Sequence, residues 1–167
     1  VLPAYGLAAF FGPSGSGKSF LAMGAAAAIA DGMDWFGHRV YQAPVVYVML
    51  EGEAGLKNRV AALEQKLGHP LPGNFGAVVQ SFAINQACDV EALAEVVPEG
   101  AVVFIDTLNR AAPTADENSP KDMGEILQGA KALATSTSGL VVIVHHTGKD
   151  QSKGLRGHSS LHAALDA

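Results

Sequence analysis

The stretch GPSGSGKS, from Gly12 to Ser19, constrains the fold of this chain more than any other part of its sequence. It follows the apolar run YGLAAFF and precedes the alanine-rich run FLAMGAAAAIA, so a strand, a tight loop and a helix are predicted in that order. Glycine allows positive φ angles, which let successive backbone N–H groups point toward one spot. A strand, such a loop and a helix form the first unit of a parallel α/β sheet.

The stretch also has the spacing G-x-x-x-x-G-K-[ST], which is typical of loops that bind nucleoside triphosphates. The first helix would begin at Lys18 and Ser19, so its free N–H groups and positive dipole end would face the anion. Lys18 is predicted to contact the β- and γ-phosphates, and the Ser19 hydroxyl to bind Mg²⁺. An ordinary Gly/Ser loop is the alternative, which the flanking strand and helix disfavour. The predicted phosphate-loop residues are Gly12, Pro13, Ser14, Gly15, Ser16, Gly17, Lys18, Ser19 and Phe20.

Three later apolar runs, VVYVML, VVFI and LVVIV, predict strands that are buried on both faces. Helical patterns lie between the strands, so the predicted fold class is α/β, a mostly parallel sheet flanked by helices on both faces. The predicted strands are Leu7–Phe11, Val45–Leu50, Ala77–Gln80, Val102–Ile105 and Leu140–Val144. The predicted helices are Ser19–Ala30, Leu56–Leu67, Val90–Val96 and Met123–Thr135.

Acidic residues follow two of these strands. Asp106 comes directly after VVFI, so its carboxylate is predicted to reach the edge where the carboxyl ends of parallel strands meet and to organise the Mg²⁺ there. Glu51 follows VVYVML and is predicted to orient or activate the attacking water, with Glu53 as a competing candidate. The alternative is that both glutamates cap the next helix from its first turn.

The segment HHTGKD begins at the end of the last predicted strand. Because side chains alternate along a strand, one of His145 and His146 is predicted to face the nucleotide and to sense its γ-phosphate. A hydrogen-bonded histidine at a strand end is the main alternative. Metal binding ranks below it, because no cysteine or acidic cluster lies nearby in the sequence.

The segment that carries Lys149, Lys153 and Arg156 is locally basic, although the net charge of the chain is −5. The acidic balance argues against a domain that binds polyanions over its whole surface. The segment could be a solvated loop, or it could contact nucleic-acid phosphates.

Composition places the chain among proteins with a sizeable core, since 49% of its 167 residues are hydrophobic. No run reaches the roughly 20 apolar residues that span a bilayer, so no membrane contact is predicted. Cys88 is the single cysteine, which fits a reducing cytoplasm, and it is predicted to be buried. Trp35 and Phe36 are predicted to pack over the sheet edge. Residues 1–167 are interpreted as one domain without its last strands, because LHAALDA stops where another strand is expected.

Five motifs, in their order along the chain, resemble the RecA-like ATPase core and more closely the AAA_25 or RepA-type family of plasmid and phage replicative helicases. The motifs are GPSGSGKS, VVYVMLEGE, VVFIDTLNRAAPTADENS, VIVHHTGKD and GLRGHSSL. Together they cover nearly the whole chain. The first is shared by many NTPases, whereas the last three in sequence are much more specific.

The resemblance implies roles that the residues alone leave open. His146 matches the histidine that senses the γ-phosphate in RepA-type enzymes, and Arg156 matches the arginine that reaches the nucleotide of the neighbouring subunit. The family also implies ATP as the nucleotide and a ring-shaped homo-hexamer with a site at each subunit interface. The implied catalytic residues are Lys18, Glu51, His146 and Arg156, and the implied Mg²⁺ ligands are Ser19 and Asp106.

The function implied by the resemblance is that of an ATP-hydrolysing motor core of a RepA-like replicative DNA helicase. Single-stranded DNA would then lie along the loop from Lys149 to Arg156. The alternative is a nucleotide-gated regulator or recombination mediator of the RadA or KaiC type, without helicase activity. Stimulation of ATP hydrolysis by DNA distinguishes the two.

Overall fold

The computed structural model of the protein describes residues 2–116, 119–146 and 159–167. Five parallel strands form one sheet in the order β1-β5-β4-β2-β3. β5 therefore separates the first strand from β4, and β3 lies at the far edge. The strands are β1 Gly6–Gly12, β2 Val45–Met49, β3 Phe75–Val78, β4 Val102–Asp106 and β5 Leu140–His146.

Helices cover both faces of this sheet, as the sequence predicted. The helices are α1 Lys18–Asp31, α2 Leu56–Leu67, α3 Ala87–Val96, α4 Leu108–Ala111, α5 Pro120–Ser136 and α6 Ser159–Ala164, and a 3₁₀ turn spans Glu53–Gly55. The α/β fold class with a parallel sheet is confirmed.

Alternating residues of the central strands pack into two separate hydrophobic cores. In β4, Val103 and Ile105 pack with residues of α3 and α5. Val102 and Phe104 point to the opposite face and pack with α1. Because β2 and β4 are buried on both faces, nearly continuous apolar runs are required there.

Helix α1 lies close to the sheet because its buried face is made of alanines, together with Met23. Gly17 precedes the helix in the left-handed conformation, with φ of 86°. Gly32 ends it in the same conformation, and the Gly32 N–H donates to the carbonyl oxygens of Ala28 and Ile29. Gly17 thus starts the helix directly after the phosphate loop, and Gly32 ends it.

The structure corrects several sequence predictions. β3 begins at Phe75 and ends at Val78, two residues earlier than the predicted strand Ala77–Gln80. Trp35 packs against the core and stacks on Phe10, with ring centroids 6.3 Å apart, whereas Phe36 is 74% exposed. These two neighbours cannot both reach the sheet, because Trp35 and His38 close a tight loop that turns Phe36 outward.

Cys88 is exposed, so its predicted burial is wrong. It lies in the first turn of α3, whose buried side is formed by Val90 and Leu93. The helices α4 and α6 were not predicted. They span four and six residues, which is too short for a periodic pattern to be read from the sequence.

The C-terminal residues run beside β1. The Asp166 N–H donates to the Leu7 carbonyl oxygen over 2.7 Å, and the Ala9 N–H donates to the Ala167 carbonyl oxygen over 3.1 Å. The Asp166 carboxylate also accepts a hydrogen bond from the Leu7 N–H, at 2.9 Å. In the described part of the chain, no helix combines the length and apolarity needed to cross a bilayer.

Candidate active site

The sequence-predicted site residues that the structure describes lie at one edge of the sheet, where the carboxyl ends of the strands meet. We call this edge the C-terminal rim. The pairing register places Met49 of β2 beside Asp106 of β4, Asp106 beside Val144 of β5, and His146 beside Gly12 of β1. In parallel sheets this edge is where ligands bind, because strand-to-helix loops converge there.

The phosphate loop between β1 and α1 has the backbone that its glycines predict. Gly15 and Gly17 have φ angles of 74° and 86°, a region that glycine enters without steric cost. A side chain at Gly12 would press against Ser16 Oγ, which lies 3.3 Å from the Cβ position. The loop from Pro13 to Gly17 is exposed.

Lys18 is the exception in this loop, because it is only 9% exposed. Its ammonium donates a hydrogen bond to the Pro13 carbonyl oxygen, with Nζ and O 2.6 Å apart. Burial lowers the pKa of Lys18, and the negative charges of Asp106 and Glu51 act in the opposite direction. The Lys18 ammonium therefore interacts electrostatically with both carboxylates, and its hydrogen bond to Pro13 holds it against the phosphate loop.

Ser19 and Asp106 form a direct pair across the sheet. Ser19 Oγ donates to Asp106 Oδ1 over 3.1 Å. The strand before Ser19, β1, and the strand of Asp106, β4, are separated by β5, but α1, which carries Ser19, crosses over β5 and contacts β4. A hydroxyl and a carboxylate are the hard oxygen donors that Mg²⁺ prefers, so this pair fits the predicted metal ligands.

Glu51 lies at the end of β2, next to the strand of Asp106. Its Oε2 accepts a hydrogen bond from Thr107 Oγ1 at 3.4 Å, and its side chain is exposed at the rim. Helix α2 is preceded by Gly55, without any side-chain cap and without an acidic residue in its first turn. Capping of α2 by Glu51 is therefore not observed. Glu53 begins the 3₁₀ turn that follows.

The two histidines that end β5 differ in burial, as strand alternation predicts. His145 is 1% exposed, whereas His146 is half-buried. His146 is level with Gly12, the first residue of the phosphate loop. Its role as a sensor of the γ-phosphate stays a prediction.

The predicted basic loop from Lys149 to Arg156 lies outside the described residues, so Arg156 keeps its role as a prediction from the resemblance. Phe20, the last of the predicted phosphate-loop residues, is 65% exposed on α1. The Arg59 guanidinium carbon lies 5.6 Å from the centre of the Phe20 ring, a distance typical of a cation–π contact.

Sequence reasoning missed Arg59 and Tyr47. Arg59 of α2 reaches the rim, since a Cβ built on Gly52 would lie 2.7 Å from its Nη2. No local pattern predicts this, because only the packing of α2 against the sheet brings Arg59 beside Phe20. Tyr47 donates a hydrogen bond from its hydroxyl to Asp106 Oδ2 over 2.8 Å. A signal existed for Tyr47, because Tyr47, Met49 and Glu51 are spaced two residues apart in VVYVMLE, and side chains with this spacing lie on the same face of a strand.

Comparison with known proteins gives a family and a fold. Residues 1–152 match the AAA_25 family, described as an AAA domain. No curated protein sequence matches the chain. The crystal structure of the RadB recombinase is similar, with a TM-score of 0.63 and 18% sequence identity over 98% of this chain and 72% of that chain. At this identity the similarity shows the fold, so the RecA-like fold expected from the motifs is confirmed.

Proposed function

Since this chain belongs to the AAA_25 family, we propose that it binds ATP with Mg²⁺, hydrolyses ATP and powers a RepA-like hexameric replicative DNA helicase. The family and the fold identify a RecA-like P-loop ATPase. The Mg²⁺ ion, the hexamer and the helicase activity are proposed here.

One observation supports the nucleotide site above the others. Lys18, Ser19 and Asp106 come from two distant parts of the chain, yet Ser19 Oγ and Asp106 Oδ1 are 3.1 Å apart and the charge of Asp106 acts on Lys18. A cation, a hydroxyl and a carboxylate at the start of a helix suit a triphosphate with its metal ion. A Gly/Ser loop without a ligand would not require this convergence.

The proposed reaction is in-line attack of water on the γ-phosphate of ATP. Glu51 lies at the rim and would orient that water, because its carboxylate is exposed and held by Thr107. Lys18 would balance the charge that builds up on the phosphate oxygens. Ser19 and Asp106 would hold Mg²⁺, which supplies charge neutralisation when bound.

Two further residues would connect the nucleotide with a neighbouring subunit and with DNA. Arg156 is proposed to reach the nucleotide of a neighbouring subunit and to stabilise the transition state there. His146 is proposed to report the γ-phosphate to the loop that contains Lys149 and Lys153, whose charges suit single-stranded DNA. As part of this proposal the protein acts in the cytoplasm, where a lone cysteine such as Cys88 stays reduced.

A second candidate function is supported by the structural similarity to the RadB recombinase. In that case ATP would organise the binding of partner proteins or DNA in recombination, in the manner of RadA or KaiC, and no unwinding would occur. The two candidates share the nucleotide site and differ in whether DNA drives turnover.

The first test measures ATP hydrolysis with and without single-stranded DNA over a series of protein concentrations. We expect specific activity to rise with both. We expect Lys18→Ala to lower kcat about a hundredfold or more, since it removes a charge from the phosphate site. Arg156→Ala should lower kcat about a thousandfold, as loss of an arginine finger does.

Matched controls are Lys131→Ala and Arg39→Ala, which remove exposed cations away from the rim. A mixture of the Lys18→Ala and Arg156→Ala proteins should recover part of the activity, because one subunit would supply the arginine to the intact site of the other. Turnover that ignores DNA, concentration and Arg156 would contradict the helicase proposal and favour the second candidate.

A further inference from the structure

Tyr47 is a buried tyrosine in the middle of β2. It is 1% exposed, and its ring stacks on Phe104, with centroids 5.7 Å apart, and on Phe75, with centroids 6.5 Å apart. These contacts explain an aromatic ring at this position. They do not explain the hydroxyl, since phenylalanine would make the same contacts without burying a polar group.

The hydroxyl of Tyr47 is used at the C-terminal rim. It donates to Asp106 Oδ2 over 2.8 Å and lies 3.4 Å from the backbone carbonyl oxygen of Ser19. The other carboxylate oxygen, Asp106 Oδ1, accepts from Ser19 Oγ. The two oxygens of the Asp106 carboxylate therefore have different donors: Oδ2 accepts from the buried Tyr47 hydroxyl, and Oδ1 accepts from the Ser19 hydroxyl.

The surroundings of Tyr47 favour its protonated hydroxyl. Burial raises its pKa, and the charge of Asp106 and the hydrogen bond to it raise the pKa further, while the charge of Arg59 opposes this. The hydroxyl does not ionise near neutral pH, so the orientation of Asp106 does not depend on a titration of Tyr47.

We propose that Tyr47 is a positioning residue that holds Asp106 Oδ2, so that Oδ1 faces Ser19. Asp106 Oδ1 and Ser19 Oγ then form a preorganised donor pair for Mg²⁺. The inference rests on the proposed Mg²⁺–nucleotide site and adds a residue to it. Loss of a group that hydrogen-bonds to a metal ligand typically lowers metal affinity about 10- to 100-fold. A carboxylate without this donor would rotate between orientations, and binding would have to fix it.

The test uses Tyr47→Phe, which removes the hydroxyl and keeps the stacked ring. Tyr41→Phe is the matched control. Tyr41 is 76% exposed, so this substitution removes the same hydroxyl group from the protein surface. The measurement is the affinity for a fluorescent ADP analogue across a Mg²⁺ titration, together with the thermal stability of the metal-free protein.

For Tyr47→Phe we expect the Mg²⁺ concentration at half-maximal effect to rise about tenfold or more. Affinity without Mg²⁺ should stay within about twofold of the wild type, because Lys18 and the loop N–H groups are unchanged. Tyr41→Phe should match the wild type in both. Tyr47→Phe should lower thermal stability in either case, because Asp106 is buried and loses a donor. A purely structural tyrosine would instead weaken binding equally with and without Mg²⁺.

The outcomes separate this inference from the proposed function. If the wild-type protein binds the analogue without any response to Mg²⁺, the proposed Mg²⁺–nucleotide site fails. If the wild type responds to Mg²⁺ and Tyr47→Phe responds at the same concentration, the positioning role alone is overturned. A parallel loss of binding in both conditions also overturns it.

Discussion

At the scale of single residues, Lys18 combines burial with two nearby carboxylates. Burial lowers its pKa below the ordinary value of 10.5, and the charges of Asp106 and Glu51 offset part of this effect. Between the lowered pKa and the ordinary one, the unfolded chain binds more protons than the folded protein. The stability of the nucleotide-free protein attributable to Lys18 therefore rises with pH across that window.

Nucleotide binding should show the opposite trend. Phosphate contact requires the charged ammonium, so affinity should fall as pH rises through the lowered pKa, before an ordinary lysine loses its proton. A fluorescent nucleotide titrated from about pH 7 to about pH 10 measures this. Lys18→Arg should bind more weakly but lose the pH dependence, because a guanidinium stays charged in this range.

Lys131→Ala serves as the control for the other lysines, and its pH profile should match that of the wild type. Constant affinity up to the ordinary lysine pKa would contradict the expected role of burial at Lys18.

At the scale of elements, α5 packs closely on one side and is open on the other. A Cβ built on Gly129 would fall on the carbonyl oxygen of Ile84. For a Cβ built on Gly124, no heavy atom of the described residues lies within 4 Å, apart from its chain neighbours and the backbone of its own helix. The absence of a side chain at Gly129 thus lets the segment before α3 approach the helix.

Alanine at these two positions of one helix should change the free energy of unfolding in opposite directions. Gly124→Ala should stabilise the protein by about 0.5–1 kcal/mol, because alanine favours a helix interior. Gly129→Ala should destabilise it by about 1–3 kcal/mol, because the added methyl group forces the backbone of Ile84 to move. Urea denaturation of both variants measures this, and a similar gain at both positions would contradict the close approach.

At the scale of the whole molecule, the first strand and the C-terminal residues lie side by side. Asp166 contacts Leu7 through its backbone and through its carboxylate, and Gly6 leaves the space that this carboxylate occupies. The contact spans 159 positions of the sequence, so it closes a large loop of chain.

Asp166→Ala should lower the free energy of unfolding by about 0.5–1 kcal/mol, since it removes an acceptor from a β1 amide. Asp34→Ala, which removes an exposed carboxylate from the loop after α1, should have little effect. Chemical denaturation compares the two variants, and equal stabilities would show that the Asp166 side chain does not stabilise the β1 edge.

The sequence predicted those features of the fold and the site that depend on residues close together in the chain. The GPSGSGKS spacing predicted a strand, a loop with glycines at positive φ and a helix starting at Lys18, and apolar runs predicted the buried strands. Asp106 at the end of β4 was likewise predicted, because parallel strands all end at one rim. The fold class followed from the same alternation of strands and helices.

Tertiary structure alone decided contacts between residues far apart in the chain. Strand order is not written in any local pattern, so the placement of β5 between β1 and β4 and the crossing of α1 that joins Ser19 to Asp106 needed the assembled sheet. The reach of Arg59 to Phe20 and the division of the Asp106 carboxylate between Ser19 and Tyr47 depend on packing in the same way. Local sequence restricts backbone angles and burial, whereas the direction and partner of a buried polar group are set by whichever element packs against it.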